Sequence, residues 1–299
     1  MIFTSPKKYL KNIEDMINHP LTDSDSQALK VIIRKNLQAL HDFCEENNLV
    51  YYLSDGTLLG AIRHGGMIPW DDDADVCMPR EDYNKLIALS DKLPKPYSLR
   101  HFTITPGYIY PIAKLVDTTT EIQEFYGADS YSDGAWVDIF PLDGTYSNKL
   151  TRRFHYAATK ILRYFFEIKA RKIRKIQKPT DTRAITTIKY IAKSLILYFS
   201  KLLSNNTPAA LMDKVARHKK YNSSKIAGNL YTGIGIRASH SKEIFASREK
   251  HSFDNFALYI PIGYDQYLTN LYGDYMTPPP PNSRSAHNIR VINLPAEES

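Results

Sequence analysis

From Ser24 onward apolar residues recur three and four positions apart. Leu29, Ile32, Ile33, Leu37, Leu40, Phe43 and Cys44 fall on one stripe, which predicts an amphipathic helix. Ser24 with Gln27 offers a capping box at its start. Asn47 or Asn48 should close it, because Asn tolerates the left-handed conformation that ends helices. Residues 49–53 then read as a buried strand. Ser54-Asp55-Gly56-Thr57 reads as a tight turn opening a short helix through Leu58, Leu59, Ala61 and Ile62, which Gly65-Gly66 ends. Residues 73–78 read as a second strand and 81–93 as a helix. Residues 97–103, 108–116, 119–125 and 135–140 gather β-branched and aromatic side chains between turn signals, so four more strands are expected.

This order predicts an α/β fold with a mixed sheet. Residues 150–218 are helical in pattern and basic, and from Ala227 the chain is expected to return to its first part. The expected division is a catalytic core at 1–147, a mainly helical basic lobe at 148–226 facing acceptor or membrane, and a C-terminal segment at 227–299 packing back on the core. A chain of 299 residues is long enough for such a two-lobed body.

Composition narrows the setting. Cys44 and Cys77 are the only cysteines, too few for a disulfide framework and without thiolate metal spacing. Lys7, Lys8, Lys11, Glu14 and Asp15 interrupt the N-terminus, which therefore does not resemble a secretory signal. The most apolar stretch, 185–203, is broken by Lys189, Lys193 and Lys201 and is not expected to span a bilayer. A cytoplasmic protein is expected. The net charge of +7 is concentrated in residues 152–178, which favours anionic partners such as phosphates or anionic lipids.

The first half instead gathers acids. Asp71, Asp72, Asp73 and Asp75 lie within five positions. Adjacent carboxylates repel and resist desolvation, so something positive must compensate them. On a strand, Asp73 and Asp75 point to one face, joined by Asp71 if the chain is already extended there, while Asp72 points away. Ala74, Val76 and Met78 alternate with them, the pattern of acids at the rim of a buried sheet. Asp138 sits inside the apolar run Trp136-Val137-Asp138-Ile139-Phe140, where an uncompensated charge would cost several kcal/mol. An oxygen-only site of Asp73, Asp75 and Asp138 suits Mg²⁺, or Mn²⁺ in its place. The plainer alternatives are a DxD capping a surface turn and an Asp138 paired with an Arg.

Upstream, Gly56-Thr57-Leu58-Leu59-Gly60 places backbone N–H groups at a helix start, where the dipole favours phosphate. Arg63, His64 and Lys114 are candidates to reach the same phosphates. Trp70 offers a ring face for a base or a cationic headgroup, or packing beneath the acidic strand.

The words Ser54-Asp55-Gly56-Thr57-Leu58-Leu59-Gly60-Ala61-Ile62-Arg63-His64 and Ile68-Pro69-Trp70-Asp71-Asp72-Asp73-Ala74-Asp75 closely resemble the LicD family. Val137-Asp138-Ile139-Phe140-Pro141-Leu142-Asp143-Gly144 and Leu271-Tyr272-Gly273-Asp274-Tyr275-Met276 continue the resemblance. The family is similar to fukutin and fukutin-related protein, within the nucleotidyltransferase-fold superfamily. The resemblance implies a nucleotidyltransferase-like core, Gly56 and Thr57 at donor phosphates, Asp73 and Asp75 as the metal pair and Asp138 as the third acid. It implies substrate roles for Arg284 and His287, which match a family Arg and His. The implied reaction is transfer of phosphocholine, or another phospho-alcohol, from a CDP-activated donor to a glycan or lipid-linked glycan, as in lipopolysaccharide, teichoic acid or capsule.

The rivals are a DxD glycosyltransferase using a nucleotide-sugar, nucleotidyl transfer to a small molecule, and a non-catalytic protein binding a membrane surface. The first usually lacks a Gly-Thr turn just upstream of its DxD; in the second the nucleotide itself stays on the acceptor. Basic residues from Arg152 to Lys178, with Phe154, Ile161, Leu162, Phe165 and Phe166, make weak peripheral attachment to an anionic inner leaflet an expectation in its own right. No nucleic-acid motif accompanies the charge, and no nucleic-acid partner is expected.

Overall fold

A computed structural model describes residues 21–108, 110–126, 129–170, 207–280, 284 and 289–295. Helix α1 (Asp23–Glu46) forms where the spacing predicts it and buries Leu29, Ile33, Leu37, Leu40 and Cys44. Its cap lies two residues before Ser24. The Thr22 hydroxyl accepts from the Asp25 N–H (3.0 Å) and the Asp25 carboxylate accepts from the Thr22 N–H (3.3 Å), so Thr22 and Asp25 fill the roles expected of Ser24 and Gln27. At the far end Asn47 is the cap, and Asn48 adopts a φ of 52°.

β1 (Tyr52–Leu53) leads into α2 (Asp55–His64), which Gly65 ends in the left-handed region at φ 71°. β2 (Asp75–Pro79) starts two residues later than expected. α3 (Arg80–Ala88) is shorter than the stretch read as helix and passes into a 3-10 turn at Ser90–Lys92. β3 (Tyr97–Arg100), β4 (Ala113–Tyr126) and β5 (Asp129–Thr145) follow. The two strands expected at 108–116 and 119–125 are one, with its register shifted between Asp117 and Ile122. There the Asp117 carboxylate accepts from the Thr119 N–H (2.9 Å) and hydroxyl (2.6 Å), and Thr120 Oγ1 accepts from the Ala135 N–H (2.7 Å). Side chains thus replace ladder bonds and the strand continues through an irregularity instead of ending.

α4 (Lys149–Ala170) and α5 (Thr207–Ala216) flank residues 171–206, which lie outside the described residues with much of the expected basic lobe. β6 (Ile226–Gly228), β7 (Ser239–Ser241), the hairpin β8 (Arg248–Phe253) and β9 (Phe256–Pro261), α6 (Tyr264–Tyr272) and β10 (Ile289–Asn293) complete the order.

The described strands form a mixed sheet with the path β1-β2-β5-β4-β10, to which β3 adds on β4 and β6 and β7 add beyond β5. Among the described strands only β2 and β5 pair in parallel; the other neighbours are antiparallel. α1 is keyed to this sheet by the buried Asn36, whose amide donates to the Ala135 carbonyl (2.8 Å). The returning chain packs on the start: Tyr52 donates to the Phe245 carbonyl (2.9 Å) and Arg248 to the Leu49 carbonyl (3.1 Å).

A buried ion pair fixes β5 to what surrounds it. Arg80 makes a two-pronged bond to Asp143 (2.7 and 2.6 Å) and reaches Asp213 on α5 (2.9 Å) and the Tyr231 hydroxyl (2.8 Å). Desolvation opposes the Arg80 charge, but the carboxylates outweigh it and hold the guanidinium's pKa above its usual range. Asp143 in the motif after Asp138 therefore has a structural partner.

Candidate active site

The parallel register sets Asp75 of β2 directly beside Asp138 of β5, and the Asp138 N–H donates to the Ala74 carbonyl (2.8 Å). Asp73, Asp75 and Asp138 can each present a carboxylate oxygen with all three within 4.8 Å of one another. Asp71, Asp72 and Asp73 form a second such group. This corrects the expectation for Asp72. Residues 71–74 are not yet strand, so alternation does not apply, and Asp72, 3 % exposed, brings a carboxylate oxygen within 4.8 Å of those of Asp71 and Asp73. Burial first, and then the charges of Asp73, Asp55, Asp138 and Asp71, raise the Asp75 carboxyl well above its ordinary pKa.

The start of α2 is stitched to this strand. The Ser54 N–H donates to the Asp75 carbonyl (3.1 Å), and Thr57 Oγ1 accepts from the Asp75 N–H (2.7 Å). Thr57 thus holds the acidic strand with its oxygen while sitting in the turn expected to meet phosphate. Gly56 lies against Asp71: a Cβ there would stand 2.8 Å from Asp71 Oδ2.

Sequence reasoning passed over Asp55. It begins α2 at φ 46°, a conformation Asp tolerates better than most residues. Its carboxyl is pushed up to about 6 by burial, partly offset by the hydroxyls of Ser54 and Tyr267. Tyr267 on α6 donates to Asp55 Oδ2 (3.3 Å) and accepts from the Asp55 N–H (3.4 Å). An Asp immediately ahead of Gly-Thr was the available signal, but its tyrosine partner lies 212 positions away.

Lys114, expected at donor phosphates, is 4 % exposed and seated beside the acids. Its ammonium lies 3.5 Å from Asp138 Oδ1 and 3.3 Å from Glu124 Oε2, against the rings of Trp136 (3.9 Å) and Tyr110 (4.2 Å). Tyr110 also donates to Glu124. Asp138 in its apolar run is thus met by a lysine as well as by two other acids.

Arg63, His64, Trp70 and Arg284 come together. The Arg284 guanidinium lies 4.0 Å from the Trp70 ring centre and that of Arg63 6.0 Å, with the His64 ring edge-on at 5.7 Å. Arg63 donates to the Tyr275 carbonyl (2.8 Å). Trp70 is half-buried against the core, as expected of a packing residue, and its ring carries the Arg284 guanidinium. His287 lies outside the described residues.

The donor set at the acids is all oxygen, with no imidazole or thiolate in either group, which fits a hard divalent cation of the Mg²⁺ or Mn²⁺ kind. The mutual repulsion that raises Asp75 is what such a charge would relieve.

Residues 48–178 match the family described as LicD/FKTN/FKRP, nucleotidyltransferase domain. The chain is 28 % identical over 257 residues to the lipopolysaccharide cholinephosphotransferase LicD of Haemophilus influenzae, covering 85 % of this chain and 92 % of that protein. A stretch of 59 residues is 50 % identical to an uncharacterized protein of Rickettsia typhi, 20 % of this chain and 18 % of the relative. Another of 79 residues is 30 % identical to mannosyltransferase regulator 4 of Saccharomyces cerevisiae, 26 % of this chain and 6 % of that protein.

Proposed function

Because the chain carries a LicD family domain, we propose that it is a transferase that moves phosphocholine from CDP-choline to a hydroxyl of a cell-surface glycan. The lipopolysaccharide cholinephosphotransferase of Haemophilus influenzae, matched over most of both chains, supports lipopolysaccharide as the acceptor class, with teichoic acid or capsule as variants of the same chemistry. The observation that carries the reading is the convergence of Asp73, just ahead of β2, Asp75 at the start of β2 and Asp138 of β5 beside the α2 turn. The core is taken as nucleotidyltransferase-like on the same grounds.

Asp73, Asp75 and Asp138 would hold Mg²⁺ or Mn²⁺, with Asp71 as a further ligand, and the ion would neutralise charge on the donor pyrophosphate. The acceptor oxygen forms its bond to the choline-bearing phosphorus as the bond to the departing CMP breaks. Asp138 takes the acceptor's proton, and Lys114 at 3.5 Å keeps that carboxylate aimed. The N–H groups at Gly56 and Thr57 meet donor phosphate, and Arg63, His64 and Arg284 around Trp70 form a basic wall for the remainder of the donor. A lipid-linked acceptor would bring the protein to the inner leaflet.

The test is incubation with a panel of CDP-alcohols, nucleotide-sugars and envelope glycans with Mg²⁺, reading the released nucleotide and the mass added to the glycan. CMP release with a phosphocholine mass gain, abolished by chelator and by Asp73→Asn, is expected. A nucleotide left on the acceptor, or a sugar transferred, would overturn the reading.

A further inference from the structure

α4 divides its apolar side chains between two faces. Its inward side packs Tyr156 and Leu162 on Ile112, Met212 and Leu230 and also holds polar groups: His155 bonds Thr145 Oγ1 (2.9 Å) and the Val215 carbonyl (2.8 Å), and the buried Thr159 donates to the Tyr156 carbonyl (3.1 Å). A second apolar set faces outward. Leu150, Phe154, Ile161 and Tyr164 are 61, 67, 58 and 41 % exposed, and their spacing of four, seven and three places them on one stripe. Ordinary folding buries such a stripe, because apolar surface left in water forgoes the hydrophobic gain of burial. Arg153 and Lys160 are exposed with it, and no acid occurs from Lys149 to Tyr164.

We propose that this face of α4 docks in the plane of an anionic lipid surface, with the apolar stripe in the headgroup and acyl boundary and the flanking cations on acidic headgroups. Charge decides between occupants. A second copy would bring the same Arg153 and Lys160 against these. The chain's own residues 171–206 carry nine Lys and Arg against one Asp, and so would repel the flanking cations instead of neutralising them. An anionic bilayer meets both the apolar and the basic component, burying the stripe and attracting the flanking cations. Among the described residues no helix is long and apolar enough to cross a membrane, so the contact lies on the surface. β5 runs from Asp138 to Thr145, roughly 23 Å of strand, and α4 begins four residues later, so the acids and the docking face are joined by one short stretch of chain. The proposal extends the inner-leaflet part of the proposed function, but its readout is lipid binding alone, so either can fail without the other.

The experiment is flotation of the full chain with phosphatidylcholine vesicles and with vesicles containing phosphatidylglycerol, at low and high salt. Binding to the anionic vesicles only, weakened by salt, is expected. Phe154→Glu with Ile161→Glu should lower partitioning by about tenfold or more, as should Arg153→Glu with Lys160→Glu, with the circular dichroism spectrum unchanged. Equal binding to both vesicle types, or none, overturns the proposal. So does a concentration-dependent dimer dissolved by the first pair of changes, which would make a second copy the occupant. A melting temperature lowered by that pair while vesicle binding persists would assign the face to the chain's own residues.

Discussion

Replacing Asp75 by Asn should stabilise the protein when no divalent cation is present. Oxygens of Asp73, Asp75 and Asp138 lie within 4.8 Å of one another, and two unit charges at that separation repel by about 3.5 kcal/mol at an effective dielectric near 20. Burial and these neighbours raise the Asp75 carboxyl well above its ordinary range, which favours the protonated form and offsets part of the repulsion. The realised cost at neutral pH is therefore a fraction of two such pairs, about 2 to 4 kcal/mol, and a neutral amide removes it. In a chain of this length that is a rise of about 3 to 6 °C in melting temperature. Mg²⁺ or Mn²⁺ closes that gap: the wild type gains about 2.7 kcal/mol at a hundred times the dissociation constant and about 4.1 at a thousand times, while the variant, short of a ligand, gains little. Thermal unfolding of both proteins in chelator and in a cation series reads all four states. The reasoning is refuted by a wild type that ignores both cations, or by a metal-free variant that melts lower than its parent.

Gly56→Ala should leave the melting temperature nearly unchanged and reduce transfer, because its Cβ would displace the end of a side chain, Asp71 Oδ2, and not backbone; kinetics at saturating and limiting donor check this. Lys114→Met leaves Asp138 and Glu124 without their shared ammonium and should destabilise by about 3 to 5 kcal/mol in urea unfolding as well as abolish transfer. Arg80→Met should cost a similar amount by stranding Asp143, in a variant that retains the three site acids. His240 is buried against Tyr267, and burial lowers its pKa to about 4. The folded state then binds fewer protons than the unfolded state between pH 6.5 and about 4, so stability falls as pH drops through that window, by about 3 kcal/mol in full. His240→Gln should flatten that part of the pH profile of unfolding.

What could be foreseen from the sequence was local. The α1 stripe needs only the helical period, and the acids of β2 were legible because carboxylates alternate with Ala74, Val76 and Met78. Asp138 was legible because a charge inside an apolar run demands a partner. The continuity of β4 was not, since it depends on the Asp117, Thr119 and Thr120 side chains bonding to backbone in place of the ladder, an outcome their types permit without requiring. Nor was the seat of Lys114, which pairs with Glu124 across the irregularity in β4 and with Asp138 on the next strand. The alternation rule misjudged Asp72 because it was applied to residues that precede the strand.

Long-range closure explains the remaining gap and bears on what the working unit is. The family match ends at residue 178, yet Tyr267 holds Asp55, the Tyr275 carbonyl holds Arg63, and Arg284 lies over Trp70. β6 and β10 likewise cover parts of β5 and β4 that would otherwise be open edges. A chain cut at the end of the match would keep all three acids and the Gly-Thr turn while losing the tyrosine that fixes Asp55 in its left-handed conformation and one of the two arginines at Trp70. The acids are therefore specified by neighbouring strands and the wall around them by the returning segment, and donor recognition should be the more sensitive of the two to changes beyond residue 226.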